Sequence, residues 1–141
     1  MTADIFSSEW AIAWKLAIDA HAGYRVAAAT WEGSLALSML DPTGGADSRA
    51  VFVDLWHGTC RAARVAVADD LGGADFVLSG STETWKRVLR GEVAPLMAIM
   101  TGRLTLTRGS LAALIPYAAA AKALVDAAAT VPARFPGEAA A

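Results

Sequence analysis

Near residue 34 the spacing of apolar residues in this chain changes, and one class of secondary structure cannot satisfy both spacings. Before that point Trp10, Ala13, Trp14, Ala17 and Ile18 recur at helical intervals. After it Leu35, Leu37 and Met39 alternate with Ala36, Ser38 and Leu40. A period of 3.6 lines one face of a helix and a period of two lines one face of a strand. The chain must therefore combine helices with a sheet.

Local signals divide it further. Ser7 or Ser8 ahead of Glu9 predicts a helix start, and the helix should stop near Gly23. A short second helix follows over 24–31, ended by Gly33. After the first strand, Asp41-Pro42-Thr43-Gly44-Gly45 reads as a turn. Val51, Val53 and Leu55 alternate with Phe52, Asp54 and Trp56 in a second strand, His57-Gly58 is a hairpin turn, and 60–68 returns as a third. A three-residue loop with Gly58 left-handed places Val53 opposite Arg61 and Val51 opposite Ala63. Val65 and Val67 then share the Val51/Val53/Leu55 face. A two-residue loop would move them to the Phe52/Trp56 face, and the first register is preferred because it gathers the β-branched residues.

Asp69-Asp70-Leu71-Gly72-Gly73 reads as a loop and 74–79 as a fourth strand, with Phe76 and Leu78 on one face. Ser81 opens a helix whose stripe is Trp85, Val88 and Leu89, ended by Gly91. Pro95 begins a short helix carrying Leu96, Met97, Ile99 and Met100, and Leu104 and Leu106 mark a fifth strand. Ser110 caps a long terminal helix with Leu111, Leu114, Ile115, Ala118 and Leu124. The expected architecture is α+β: a single mixed, mainly antiparallel five-stranded sheet with helices largely on one face. With 141 residues this is one domain over 1–130, followed by a flexible tail over 131–141.

Charge and composition exclude several functions. A net charge of −2 and a pI near 5.6 argue against a nucleic-acid partner. Lys86, Arg87 and Arg90 read as one solvated helix face. The single Cys60 excludes an internal disulfide, and two histidines without cysteine partners disfavour a metal site. No basic segment followed by an apolar run opens the chain, so it reads as cytoplasmic. The longest apolar stretch, 111–131, is interrupted by Pro116, Lys122 and Asp126, so no integral membrane segment is expected.

No catalytic constellation stands out. Cys60 and His57 flank the hairpin turn, but alternation along the strand separates their faces. His21 suits the end of the first helix as a partner for its carbonyls. Asp69-Asp70 lacks the spaced acids of a calcium loop and reads as a solvated turn. Gly44-Gly45 and Gly72-Gly73 lack the Lys-Ser/Thr of a phosphate loop. The unusual feature is apolar: five tryptophans, four methionines and four phenylalanines beside many alanines. Such a mixture can close-pack or leave a cavity. Phe52 and Trp56 point away from the main apolar set, a pattern that marks contact surfaces and suggests a homodimer.

Residues 76–85, Phe-Val-Leu-Ser-Gly-Ser-Thr-Glu-Thr-Trp, lead into Val88-Leu89-Arg90-Gly91-Glu92 and Pro95. Ala98-Ile99-Met100-Thr101-Gly102-Arg103-Leu104 and Gly109-Ser110-Leu111 follow. Over 74–126 this succession resembles the sterol carrier protein 2 family. The departure is Arg108 before Gly109-Ser110, where an acid often follows the glycine. The chain ends Glu138-Ala-Ala-Ala rather than in a peroxisomal Ser-Lys-Leu.

The resemblance implies a stand-alone carrier that binds a fatty acid, acyl-CoA, sterol or other hydrophobic small molecule, without cofactor and without catalysis. It implies a tunnel between the sheet and the C-terminal helices. The residues expected to line it are Phe76, Leu78, Trp85, Leu89, Met97, Met100, Leu104, Leu111, Leu114 and Ile115. The alternative is an accessory or oligomerisation domain of the same fold, with a collapsed tunnel, serving a separate enzyme.

Overall fold

The computed structural model describes residues 2–40 and 49–135. The N-terminal half contains β1 (Ala3–Asp4), α1 (Ser8–Ala20), α2 (Ala22–Ala27), β2 (Glu32–Leu40), β3 (Arg49–Trp56) and β4 (Thr59–Val65). Then come α3 (Ala68–Gly73), β5 (Phe76–Ser81), α4 (Thr82–Leu89), α5 (Pro95–Met100) and β6 (Leu104–Arg108). The chain continues through α6 (Leu111–Leu114), a 3-10 turn (Ile115–Tyr117), α7 (Ala118–Ala129) and β7 (Ala133–Arg134). Five strands pair in the order β4-β3-β2-β5-β6, with β2–β5 parallel and the other pairs antiparallel. This is the expected α+β architecture. Leu35, Leu37, Met39, Val51, Val53, Leu55 and Leu78 join the main core beneath α1, α4 and α7, while Ala36, Ala74 and Val77 form a small cluster elsewhere.

The helix boundaries follow side-chain chemistry. The Trp10 backbone N–H donates to Ser7 Oγ at 3.2 Å, capping α1. That helix ends at His21, short of Gly23, because His21 takes an extended conformation and caps the next helix: its Nδ1 accepts from the Tyr24 N–H at 2.9 Å. The expected carbonyl partner is thus an N-terminal cap. Gly33, expected to terminate a helix, lies inside β2, whose ladders to β3 and β5 make it a central strand. The Asp41–Gly45 turn lies outside the described residues.

The hairpin takes the register that was not preferred, then corrects it. His57 and Gly58 both have positive φ, 49° and 84°, and Trp56 pairs with Thr59 around a two-residue loop. A Cβ on Gly58 would stand 2.6 Å from the Arg25 carbonyl oxygen, so the turn needs glycine twice over. A bulge between Asp54 and Leu55 then absorbs one residue, giving Val53↔Ala63 and Val51↔Val65. Val65 keeps its expected side but stays exposed on an edge strand, and Val67 falls outside the strand.

Residues 69–73, read as a loop, belong to α3, and Asp70 is not a solvated turn residue. It is buried, accepts from the Arg64 guanidinium at 2.6 Å and from the Val67 N–H at 3.0 Å, and its carboxyl is held below the ordinary range by Arg64 first and Val67 second. Residues 133–135, expected to lie in a flexible tail, are placed against the rest of the protein. β7 pairs in parallel with β1, and Phe135 is buried. Lys86 and Arg90 lie over its ring, so that cationic face is partly a lid on an aromatic. Pro116 divides the terminal helix into α6, the 3-10 turn and α7. By length and composition Leu111–Ala129 is apolar enough to cross a membrane, with mean hydropathy 1.4; here Ala120, Ala123, Ala127 and Ala128 are buried in the core.

The outer face of the sheet is less apolar than the alternation suggested. Phe52 is half-buried under the Arg64 guanidinium at 4.4 Å, and Trp56 stacks on His57 with Arg61 at 4.6 Å.

Candidate functional site

Between the core side of the sheet and the helices over it lies a cavity of about 80 Å³. Its floor is Leu35 and Leu37 of β2, Leu55 of β3, Leu78 of β5 and Leu104 of β6. Trp14, Tyr24, Trp31, Trp85, Val88 and Leu89 form the flank. The roof comes from Pro95, Leu96 and Ile99 of α5, Leu114 of α6, Tyr117 of the 3-10 turn, and Ala120, Ala121, Leu124 and Val125 of α7.

The polar tips of four of the five lining aromatics are engaged within the protein. The Trp85 indole N–H donates to Ser38 O at 2.9 Å, Trp31 to Gly33 O at 3.1 Å, and Trp14 to Leu124 O at 3.0 Å. The Tyr117 hydroxyl bonds the Thr30 hydroxyl at 3.0 Å while its ring meets Trp31 edge-on at 4.8 Å. The Tyr24 tip excepted, what faces the space is hydrocarbon. No acidic, basic or thiol side chain lines it among the described residues. Such a surface holds apolar groups by excluding water.

Five of the ten expected residues meet here: Leu78, Trp85, Leu89, Leu104 and Leu114. The others do not. Phe76 packs on Trp31 with ring centroids 5.3 Å apart, and Leu111 is half-buried outside the lining. Met97, Met100 and Ile115 point to solvent, with exposures of 52%, 64% and 54%. In α5 the inward residues are Leu96, Ala98 and Ile99, a phase that six residues were too few to establish. Pro116 breaks the helix, leaving Ile115 outside and bringing Tyr117, Ala121 and Leu124 onto the wall. Trp14 and Trp31 were visible as large apolar residues, but nothing local tied them to the C-terminal helices.

Cys60 sits apart from this space. Its N–H donates to Asp19 Oδ1 at 2.9 Å and its Sγ to Ala62 O at 3.3 Å, while the His57 ring bonds Glu32 at 2.6 Å. Burial first, and the Asp19 charge second, push the Cys60 thiol up to about 12.

The family model described as the SCP-2 sterol transfer family matches residues 15–114, well over half of the chain. The chain belongs to the SCP-2 sterol transfer family. The match takes in β2, β3, β4 and α2, beyond the segment that carried the resemblance, and includes every cavity-lining residue except Trp14 and those of the 3-10 turn and α7. A crystal structure of a sterol carrier protein 2 is 45% identical, with a TM-score of 0.81 over 91% of this SCP-2 chain and 99% of that one. A solution structure of a conserved hypothetical protein from Thermus thermophilus, described as possibly a sterol carrier protein, is 41% identical with a TM-score of 0.82, covering 95% and 97%. The apo sterol carrier protein 2 of Yarrowia lipolytica, 16% identical with a TM-score of 0.58 over 91% and 98%, shares the fold. No curated protein matches the chain.

Proposed function

We propose that this SCP-2 chain binds and carries one hydrophobic ligand, a fatty acid, acyl-CoA or sterol, in the cavity between the sheet and α5, α6 and α7, without catalysis. The observation that carries this reading is the lining: hydrocarbon on every side, with the indole and phenol groups of Trp14, Trp31, Trp85 and Tyr117 already bonded to the protein. A ligand entering it is held by area alone. Each buried methylene contributes roughly 0.8 kcal/mol, so about ten of them correspond to micromolar binding before ordering costs. A water-sized volume is about 30 Å³, and the cavity of about 80 Å³ is small beside such a chain. The helical wall therefore moves outward when a long ligand enters.

The test is displacement. An environment-sensitive fatty-acid probe is expected to bind saturably at micromolar concentration and to be released by unlabelled lipid, and native mass spectrometry of fresh protein should show co-purified lipid. Failure of every long-chain and sterol probe would favour the accessory-domain alternative.

A further inference from the structure

The fifth lining aromatic, Tyr24, differs from the other four. Its hydroxyl has no hydrogen-bond partner among the described residues, although the residue is only 1% exposed. A buried phenol ordinarily finds a partner. Among the described residues, Trp10 Nε1 is the one fully enclosed side-chain polar atom left unpaired, and Trp10 does not line the cavity. The Tyr24 hydroxyl is therefore not enclosed, and the space it meets is the cavity that Tyr24 lines.

The position of this hydroxyl is set before a ligand arrives. The Tyr24 N–H donates to His21 Nδ1 at 2.9 Å, and the neighbouring Arg25 guanidinium donates to Asp19 O at 2.6 Å. Fixing Tyr24 in advance spares a ligand the cost of ordering it. Burial first, then the neighbouring Cys60 and Asp19, push the phenol above its ordinary range, so it stays protonated and can both donate and accept.

The surroundings favour one kind of oxygen. No cationic side chain lines the cavity among the described residues, and Lys15, the cation one residue from the lining Trp14, is bonded to Asp19 at 2.9 Å. A carboxylate or phosphate brought to Tyr24 would stand in hydrocarbon without a counter-charge, whereas a hydroxyl or carbonyl needs one hydrogen bond. Lining residues of α5, α6, the 3-10 turn and α7 keep partial exposure, Ala120 excepted, while Tyr24 lies among the buried ones. A ligand admitted through the partly exposed side meets Tyr24 at the closed side.

We infer that Tyr24 sets the ligand class: its hydroxyl bonds the single uncharged oxygen, hydroxyl or carbonyl, of a neutral lipid lying polar end inward. Carboxylates and acyl-CoA must then leave their heads at the partly exposed side. The inference rests on the binding function proposed above. Apolar area supplies the affinity common to all ligands, and the Tyr24 bond decides among ligands of equal length.

The full chain and Tyr24→Phe are titrated with dodecane, dodecanol and dodecanoate, each displacing the environment-sensitive fatty-acid probe. The substitution should lower the ratio of dodecanol to dodecane affinity about tenfold, and the ratio of dodecanoate to dodecane by less than about twofold. The variant should melt as the parent does, because no hydrogen bond within the protein is lost. The chain has two tyrosines, so ring-carbon labelling resolves Tyr24 by NMR in the parent. Its ζ-carbon resonance should move with dodecanol and stay in place with dodecane. Ratios unchanged by Tyr24→Phe, or both ratios lowered alike, overturn the inference and leave the binding function standing. A resonance that answers dodecane as it answers dodecanol also overturns it. Failure of the probe and of all three ligands to bind overturns the binding function, and the inference with it.

Discussion

The flank and floor of the cavity are buried and cross-braced: Trp85 reaches across to the Ser38 carbonyl, and Phe6 packs edge-on against it at 5.7 Å. The roof, by contrast, is a short α5, a single turn of α6, a 3-10 turn at Pro116 and a half-exposed side of α7. It is anchored where Trp14 bonds Leu124 O and where Tyr117 meets Thr30 and Trp31. The same space is thus bounded by one wall that owes its position to long-range packing and one whose α5, α6 and 3-10 segments are held at a few points, with only α7 packed into the core. Local openings come from such thinly packed elements, so under the proposed function the roof is the part expected to yield to a ligand.

The largest expected effect tests the fixed wall. Trp85→Ala should cost about 3–5 kcal/mol in denaturant unfolding, through lost area and an orphaned Ser38 carbonyl. A cost below about 1 kcal/mol would mean that this wall is no firmer than the roof. Ala121→Leu tests the roof: it should weaken probe binding tenfold or more while changing stability by less than about 1 kcal/mol, whereas a filled core would show overpacking of about 1–3 kcal/mol.

A third effect reads the packing under α1 by titration. Cys60 packs beneath α1, and its thiol stays protonated to about 12 when folded against an ordinary value near 9. The unfolded chain loses that proton first, so stability should fall as pH rises from about 9 toward 12, by up to about 1.4 kcal/mol per unit. Cys60→Ala should flatten this part of a stability–pH curve; an unchanged slope would show the thiol reaching water. Tyr24, buried nearby and raised for the same reason, adds to the loss at higher pH.

Smaller still is Met100→Trp. With Met100 outside the lining, the change should leave probe binding intact and stability within about 0.5 kcal/mol; lost probe binding would return Met100 to the cavity. The smallest effect concerns self-association through the outer sheet face. If a dimer forms there at high concentration, Trp56→Ser should reduce it in sedimentation velocity, and a parent chain that stays monomeric removes the idea.

Much of the fold was legible because its signals are local. Ser7 and Ser81 accept from backbone N–H groups at the starts of α1 and α4, and Pro95 opens α5, as their residue types require. The alternation at Leu35, Leu37, Val51, Val53 and Leu55 correctly gave the buried face of two strands. Leu78, Trp85, Leu89, Leu104 and Leu114 reached the cavity because each lies on a stripe long enough, or a strand plain enough, to define its inward side.

By itself the chain of residues determined the α+β class, the order of the five main strands and of the helices other than α3, and the apolar face of most of them, since capping, turn chemistry and periodicity act within a few residues. Tertiary structure alone decided the rest. The phase of α5 comes from its packing on α7 and β6, because fewer than two turns carry too little periodicity to set it. The β3–β4 register comes from a bulge whose gain is the packing of Cys60 and Ala63 under α1, a contact across more than forty residues. The cavity itself is where Trp14 and Trp31 from one end of the chain and Leu114 and Ala121 from the other fail to close on each other. A gap of that kind belongs to the placement of several elements at once, and no local pattern encodes it.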